Sequence, residues 1–132
     1  MTGITAVVVT SLLLAVFFGG RLPRRYRDRK CQGAAWRDAF PTVPKEAIRD
    51  FLSMFVDAFA IKRTEQLQFA PTDRILDVYR AIYPSRLLAD NLELETLADQ
   101  LEQRFGFRLE SIWDEQTTMG DVFTAVRARA AT

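Results

Sequence analysis

The stretch Asp90–Phe107, DNLELETLADQLEQRFGF, decides how the rest of the chain is interpreted. One helix face, with residues recurring three or four positions apart, is formed by Leu94, Leu97, Ala98, Leu101 and Phe105, and most of the acids lie off that face. Asp90 and Glu93 have the spacing of a capping box, and Gly106 suits the left-handed residue that ends many helices. The stretch therefore predicts an acidic amphipathic helix with a defined beginning and end.

Three other segments carry a helical pattern. A helix is predicted over residues 45–60, with one apolar face formed by Ile48, Phe51, Leu52, Phe55, Val56 and Phe59. A short helix is predicted over residues 72–83, with Thr72 as its N-cap, Asp73 in its first turn and Pro84 beyond its end. A last helix begins at Thr118, where Asp121 completes a capping pair. With no strand pattern and no internal repeat, residues 44–130 are predicted to form a small all-α, four-helix bundle.

The composition excludes several kinds of active site. The 132-residue chain contains no histidine and one cysteine. A histidine-based triad, a histidine-ligated zinc site and an intramolecular disulfide are therefore impossible. The sequence also shows no metal-ligand cluster and no glycine-rich phosphate loop. We predict no catalytic residues, no metal ligands and no enzymatic activity.

Residues 3–20, GITAVVVTSLLLAVFFGG, contain no charge. As a helix they would extend about 27 Å, close to the bilayer's hydrocarbon core of about 30 Å. The basic run RLPRRYRDRK follows at once, and such runs stay on the cytoplasmic side. A cleaved signal peptide would carry its charge before the apolar run. The pattern predicts a transmembrane helix over 3–20 and a single-pass protein of a bacterial inner membrane, N-terminus outside. A re-entrant segment is the alternative.

Residues 21–43 show no sustained periodicity and are interrupted by prolines and a glycine. We predict that they form a basic juxtamembrane linker between the membrane and the helical domain. Residues 1–44 carry a net charge of +5, whereas residues 45–132 carry −4. Because phosphate binding needs surplus positive charge, nucleic acid is not expected as a partner of the acidic part.

Taken in order, three pieces resemble the acyl carrier protein family over about residues 45–128. They are Asp90-Asn91-Leu92, the helix LETLADQLEQRFG, and the TTMGD of residues 117–121. In that family the first motif is D-S-L, and its serine is esterified by phosphopantetheine. Asn91 stands at the serine position here, and a carboxamide nitrogen is not a nucleophile because its lone pair is delocalised. The resemblance therefore implies a carrier-like domain without its cofactor.

The resemblance also implies a docking surface, because carrier proteins present an acidic second helix to basic patches on partner enzymes. The corresponding partner-binding candidates here are Asp90, Asn91, Glu93, Glu95, Asp99 and Glu102. An ordinary solvated helix face is the alternative. The predicted function is a membrane-tethered interaction or regulatory module that docks a cytosolic protein, such as an acyl-transfer or lipid-synthesis enzyme. The alternative function is a working acyl carrier in lipid or acyl metabolism, modified at another residue.

Overall fold

The computed structural model describes residues 22–83 and 92–130. Within these ranges the chain is an all-helical bundle, which confirms the predicted class, and it contains no β-strand longer than a single bridge. The α-helices are α1 (Arg24–Arg27), α2 (Gly33–Ala39), α3 (Lys45–Ala58), α4 (Ile75–Ile82), α5 (Leu92–Phe105) and α6 (Met119–Ala130). Two 3₁₀ segments cover Arg63–Gln68 and Leu109–Ser111.

Helix α3 lies at the centre of the core. The predicted apolar face is buried throughout, and Met54 and Ala58 are buried beside it. Phe55 has no exposed surface, and its ring centroid lies 4.8 Å from that of Phe59 and 5.4 Å from that of Phe69. Aromatic rings at such separations add to the stabilisation that burial provides. The apolar face of this helix is therefore occupied by packing within the bundle.

Helices α3 and α5 both end at a residue with a left-handed backbone. Gly106 has φ 63° and its N–H donates to the Glu102 carbonyl at 2.9 Å, as the sequence predicts. The end of α3 comes at Ala58, two residues earlier than predicted, because Ala60 adopts φ 56°. There the N–H of Ile61 donates to the Val56 carbonyl at 2.8 Å. Both helix ends are thus fixed by hydrogen bonds.

The beginnings of α4 and α6 are joined by an antiparallel bridge between Arg74 and Thr118. The Ile75 N–H donates to the Thr117 carbonyl at 3.1 Å, and the Met119 N–H donates to the Asp73 carbonyl at 2.9 Å. Asp73 and Ile75 lie 44 residues before Thr117 and Met119, so each of the two bonds is the counterpart of the other. The same shift aligns DVYRAI of α4 with DVFTAV of α6. These two similar segments are here called the repeat, and the residues that precede them are joined by the bridge.

Side chains stabilise these two helix beginnings differently. At α6 the Thr118 hydroxyl accepts from the Asp121 N–H, and the Asp121 carboxylate accepts from the Thr118 N–H, both at 3.0 Å. This confirms the predicted capping pair. The prediction for α4 is wrong, because the helix begins at Ile75 and no side chain caps it. The carboxylate of Asp73 instead accepts from the N–H of Ala70 at 2.7 Å and pairs with an arginine of the N-terminal segment.

Residues 22–43 lie against the bundle rather than extending as a linker. Leu22, Tyr26 and Trp36 are buried and belong to the same hydrophobic core as α3. The indole N–H of Trp36 donates to the Phe69 carbonyl at 2.8 Å. Trp36 also packs on Phe123 of α6, with ring centroids 5.7 Å apart. The sequence shows no sustained periodicity here because helices of four and seven residues are too short to show a periodic face.

A polar clasp, formed by Arg29, Gln68 and Asp73, fixes the basic segment to the bundle. The Arg29 guanidinium donates to both carboxylate oxygens of Asp73, and its Nε donates to the Gln68 carbonyl at 2.7 Å. The Gln68 amide donates to the carbonyls of Tyr26, Arg27 and Arg29. Burial beneath this clasp raises the pKa of the Tyr26 phenol. Arginine therefore serves here as a structural donor within the domain.

The predicted location in a bacterial inner membrane is contradicted by the residues that the structure describes. No helix within 22–83 or 92–130 is both long enough and apolar enough to cross a bilayer. The segment that carried the prediction, residues 3–20, lies outside the described residues.

Candidate protein-interaction site

Helix α5 presents an acidic stripe, formed by Glu95, Asp99 and Glu102. Their spacing of four and then three residues places them on one side of the helix, and all three are exposed. None of the salt bridges in 22–83 and 92–130 involves them. Three carboxylates that have no cation partner among the described residues lie within about 11 Å along the helix axis, at about 1.5 Å per residue. The stripe is therefore available to a cationic partner.

The remaining predicted residues do not share this position. Glu93 is only partly exposed, and its Oε2 is buried with no hydrogen-bond partner among the described residues. A buried carboxylate oxygen without a donor is unfavourable, so Glu93 differs from the exposed acids in its surroundings. Asp90 and Asn91 lie outside the described residues. The predicted capping pair of Asp90 and Glu93 therefore stays a prediction.

Two buried leucines hold α5 against the bundle. Leu97 is 1% exposed and Leu101 is fully buried, and together they form the whole buried set of this fourteen-residue helix. The apolar face also includes Leu94, Ala98 and Phe105, which are only partly buried. These residues pack against the core beside the two leucines, whereas Glu95, Asp99 and Glu102 lie off this face and are exposed. That geometry leaves the acidic stripe accessible along its length.

An open apolar cleft of about 280 Å³ borders the stripe. One wall is the side of α5 that carries Leu94, Glu95 and Ala98, and the other wall carries Leu109, Glu110 and Trp113. Glu95 belongs to both the stripe and the cleft. The site can therefore offer an apolar recess beside a row of negative charges, which suits a protein segment with an apolar anchor next to lysine or arginine.

Thr117 fixes the loop that forms the second wall of the cleft. This threonine is 4% exposed, its hydroxyl donates to the Ile112 carbonyl at 3.1 Å, and it accepts from the Asp114 N–H at 2.9 Å. These bonds close residues 112–117 into a compact turn and set the direction in which Trp113 leaves it. Sequence reasoning identified the TTMGD motif, but it missed the cleft because the loop's return to α5 is a tertiary contact.

The described serines offer no replacement at the expected attachment position. Ser53 lies on α3 and donates to Gln66 Oε1 at 2.8 Å, and Ser111 donates to the Arg108 carbonyl at 2.7 Å. Neither lies at the beginning of α5, which is where the resemblance requires the attachment serine. Ser85 lies outside the described residues. What the sequence supplies at that position is the carboxamide of Asn91.

Comparison with known proteins gives a partial match to an enzyme subunit. A 63-residue stretch is 40% identical to part of the propanediol dehydratase small subunit of Citrobacter freundii. The stretch amounts to 48% of this chain and 33% of that subunit, so the chain spans about a third of the length of the relative it matches. No family model matches the chain, and no solved structure matches it.

Proposed function

We propose that this chain is a carrier-protein-like interaction module that binds a partner protein through α5 and carries no prosthetic group. The observation that carries the proposal is the acidic stripe, exposed along a helix whose opposite, apolar face packs on the bundle. Asn91 at the attachment position supports the absence of phosphopantetheine. The partner is a protein with a basic patch, and an acyl-transfer or lipid-synthesis enzyme is the class that the carrier resemblance suggests.

The arrangement of charge supports a role in binding. Like charges three or four residues apart on a helix destabilise it, by about 0.2–0.5 kcal/mol per pair. Asp99 lies at such a spacing from both Glu95 and Glu102. The stripe therefore costs the isolated domain some stability, and a cationic partner would offset that cost. Complementary charge would also speed the encounter and fix the orientation of the complex.

The partial match also favours a protein that works in an assembly. The matched protein is named as a small subunit, so it acts together with other chains. The proposed module would likewise act through another protein.

The first experiment tests the stripe. The full chain is used as bait in three forms: wild type, a reversed form with Glu95, Asp99 and Glu102 changed to lysine, and a charge-matched control. The control changes Asp38, Asp50 and Glu115, which are exposed elsewhere, to lysine. We expect candidate enzymes with basic patches to bind the wild type and the control but not the reversed form. Their binding should weaken as salt is raised from about 50 to about 300 mM, because the distance over which charges interact shortens markedly in this range.

Equal binding by all three forms would contradict the proposal. Because the altered residues are exposed, we expect the three baits to unfold at similar denaturant concentrations, which circular dichroism checks first.

Co-expression with a phosphopantetheinyl transferase, followed by intact-mass measurement, tests the second part of the proposal, the absence of a prosthetic group. No added mass is expected for the wild type, and an added phosphopantetheine would establish the alternative, a working carrier. Gain of that mass by Asn91→Ser would show that only the nucleophile is missing.

A further inference from the structure

A second cavity lies away from α5, where α2 meets the beginning of α3. Its volume is about 230 Å³. Its apolar lining comes from Trp36, Ile48 and Leu67, two of which are buried core residues. The cavity is small beside drug-sized sites, which occupy about 300–1,000 Å³. It has the size of a site for a small organic molecule.

Three cations surround this apolar lining. Arg37 comes from α2, and Lys45 and Arg49 come from the first two turns of α3, four residues apart on one side of the helix. All three are exposed, and none forms a salt bridge within residues 22–83 and 92–130. Their three positive charges therefore face one cavity without an internal counter-charge.

The neighbouring acids lie outside the lining of this cavity. Glu46 is three residues before Arg49 on α3, but the two form no salt bridge among the described residues. Asp38, Glu46 and Asp50 each follow one of the cations in sequence, but none of them lines the cavity. Successive residues of a helix point about 100° apart, so an acid next to a cation in sequence faces a different direction. The N-terminal end of α3 adds the positive end of its dipole, and no side chain caps it.

We propose that this cavity binds a small organic oxyanion with an apolar body, such as a short-chain carboxylate or an alkyl phosphate. The guanidinium groups of Arg37 and Arg49 match either head group, because each can donate two parallel hydrogen bonds. The apolar body would lie against Ile48, Leu67 and the edge of Trp36. This site is separate from the acidic stripe, and it requires neither the proposed partner nor a prosthetic group.

Hexanoate, hexyl phosphate, hexanol and hexyltrimethylammonium are suitable probes, titrated into the full chain and followed by NMR. We expect the two anions to bind with a Kd of about 0.1–1 mM, the range that ligand efficiency allows for so small a molecule. The alcohol and the cation should bind at least tenfold more weakly. Comparison of the two anions identifies the preferred head group. Equal binding of hexanol and hexanoate, or no binding of either anion, would overturn the proposal.

Variants test whether these cations are responsible. The double change Arg37→Gln and Arg49→Gln should weaken anion binding at least tenfold. The control, Arg104→Gln with Arg127→Gln, removes the same charge from exposed positions elsewhere and should leave binding unchanged. Equal weakening by both pairs would mean that net charge, and not this cavity, holds the anion.

Cys31 provides a readout that needs no variant. It is exposed, lines the cavity and is the chain's only cysteine. Saturating hexanoate should slow its alkylation by iodoacetamide severalfold, whereas hexanol at the same concentration should not. An unchanged rate with bound hexanoate would place the anion elsewhere and contradict the proposal.

Discussion

Helices α4 and α6 begin at one backbone bridge with related sequences, yet they differ in length and in the side chains that stabilise them. Helix α4 has eight residues and α6 has twelve. A reciprocal pair of side-chain bonds caps α6, whereas α4 has no side-chain cap. The nearest acid before α4, Asp73, instead belongs to the clasp with Arg29 and Gln68. Similar backbone geometry thus serves two purposes. The acid near the start of α6, Asp121, stabilises its own helix, whereas the acid before α4, Asp73, holds the N-terminal segment.

The difference shows what decides a helix beginning in this chain. The paired backbone bonds fix where both helices begin, because each bridge residue directs the next N–H toward the opposite strand of the bridge. Side-chain capping then becomes optional, since one first-turn donor of each helix is already satisfied. Asp73 is therefore free to form a distant contact, and the N-terminal segment packs on the bundle as a result.

The largest effect is expected at the aromatic residue of the repeat in α6. Phe123 contacts Trp36, Phe40 and Phe51, so it joins α6 to both α2 and α3. Phe123→Ala should lower the free energy of unfolding by about 3–5 kcal/mol, as expected for a fully buried ring. Urea denaturation measures this loss.

The corresponding residue of α4 is the matched control. Tyr79 contacts Phe59 and Tyr83 and does not reach Trp36. In a Trp113→Phe background, which leaves Trp36 as the only tryptophan, Phe123→Ala should shift the native-state emission to longer wavelength, whereas Tyr79→Ala should not. The same shift from both variants would mean that the two copies of the repeat contact the N-terminal segment alike.

The sequence predicts the long elements of this fold well. Helices α3 and α5 each display a continuous apolar face over fourteen residues, so their periodicity can be recognised without knowing which elements pack against them. The capping pair of Thr118 and Asp121 and the left-handed Gly106 are also local, because each depends on residues only a few positions apart. The exposed acids Glu95, Asp99 and Glu102 follow from the same periodicity.

The short elements depend on contacts that no local pattern shows. Helices α1 and α2 each bury one aromatic residue, Tyr26 and Trp36, so their place in the core is decided by α3 and the Phe69 loop. Asp73 has the local position of a helix-start acid, but its partner is 44 residues away. The apolar cleft needs the loop around Trp113 to return to α5. In each case tertiary structure overrides the local signal.

The clasp at Asp73 is the next test of the comparison. Asp73→Asn keeps an acceptor for the Ala70 N–H but removes the charge opposite Arg29, and both partners are mostly buried, at 12% and 28% exposure. The expected loss is about 2 kcal/mol, typical of a hydrogen bond to a charged group. Asp121→Asn, the acid of the α6 cap, should cost about 1 kcal/mol or less. Urea denaturation of both variants gives the two values.

A double-mutant cycle separates the ion pair from other effects of the substitution. If Arg29 and Asp73 act as a pair, the loss from Arg29→Gln with Asp73→Asn should be clearly smaller than the sum of the single losses. Additive losses would show that Asp73 stabilises the loop through Ala70 alone.

The smallest effects are expected at the two bridge residues, which occupy equivalent positions before α6 and α4. Thr118→Ala removes a cap and should cost about 1 kcal/mol, measured by urea denaturation. Arg74→Ser supplies a cap that α4 lacks, at a residue whose backbone, with φ −76° and ψ 131°, already has the extended conformation of an N-cap. It should raise the free energy of unfolding by about 0.5–1 kcal/mol. If Arg74→Ser instead destabilises the chain, the side chain of Arg74 stabilises the fold by more than the new serine cap does. The two helix beginnings would then be less alike than their backbone bonds suggest.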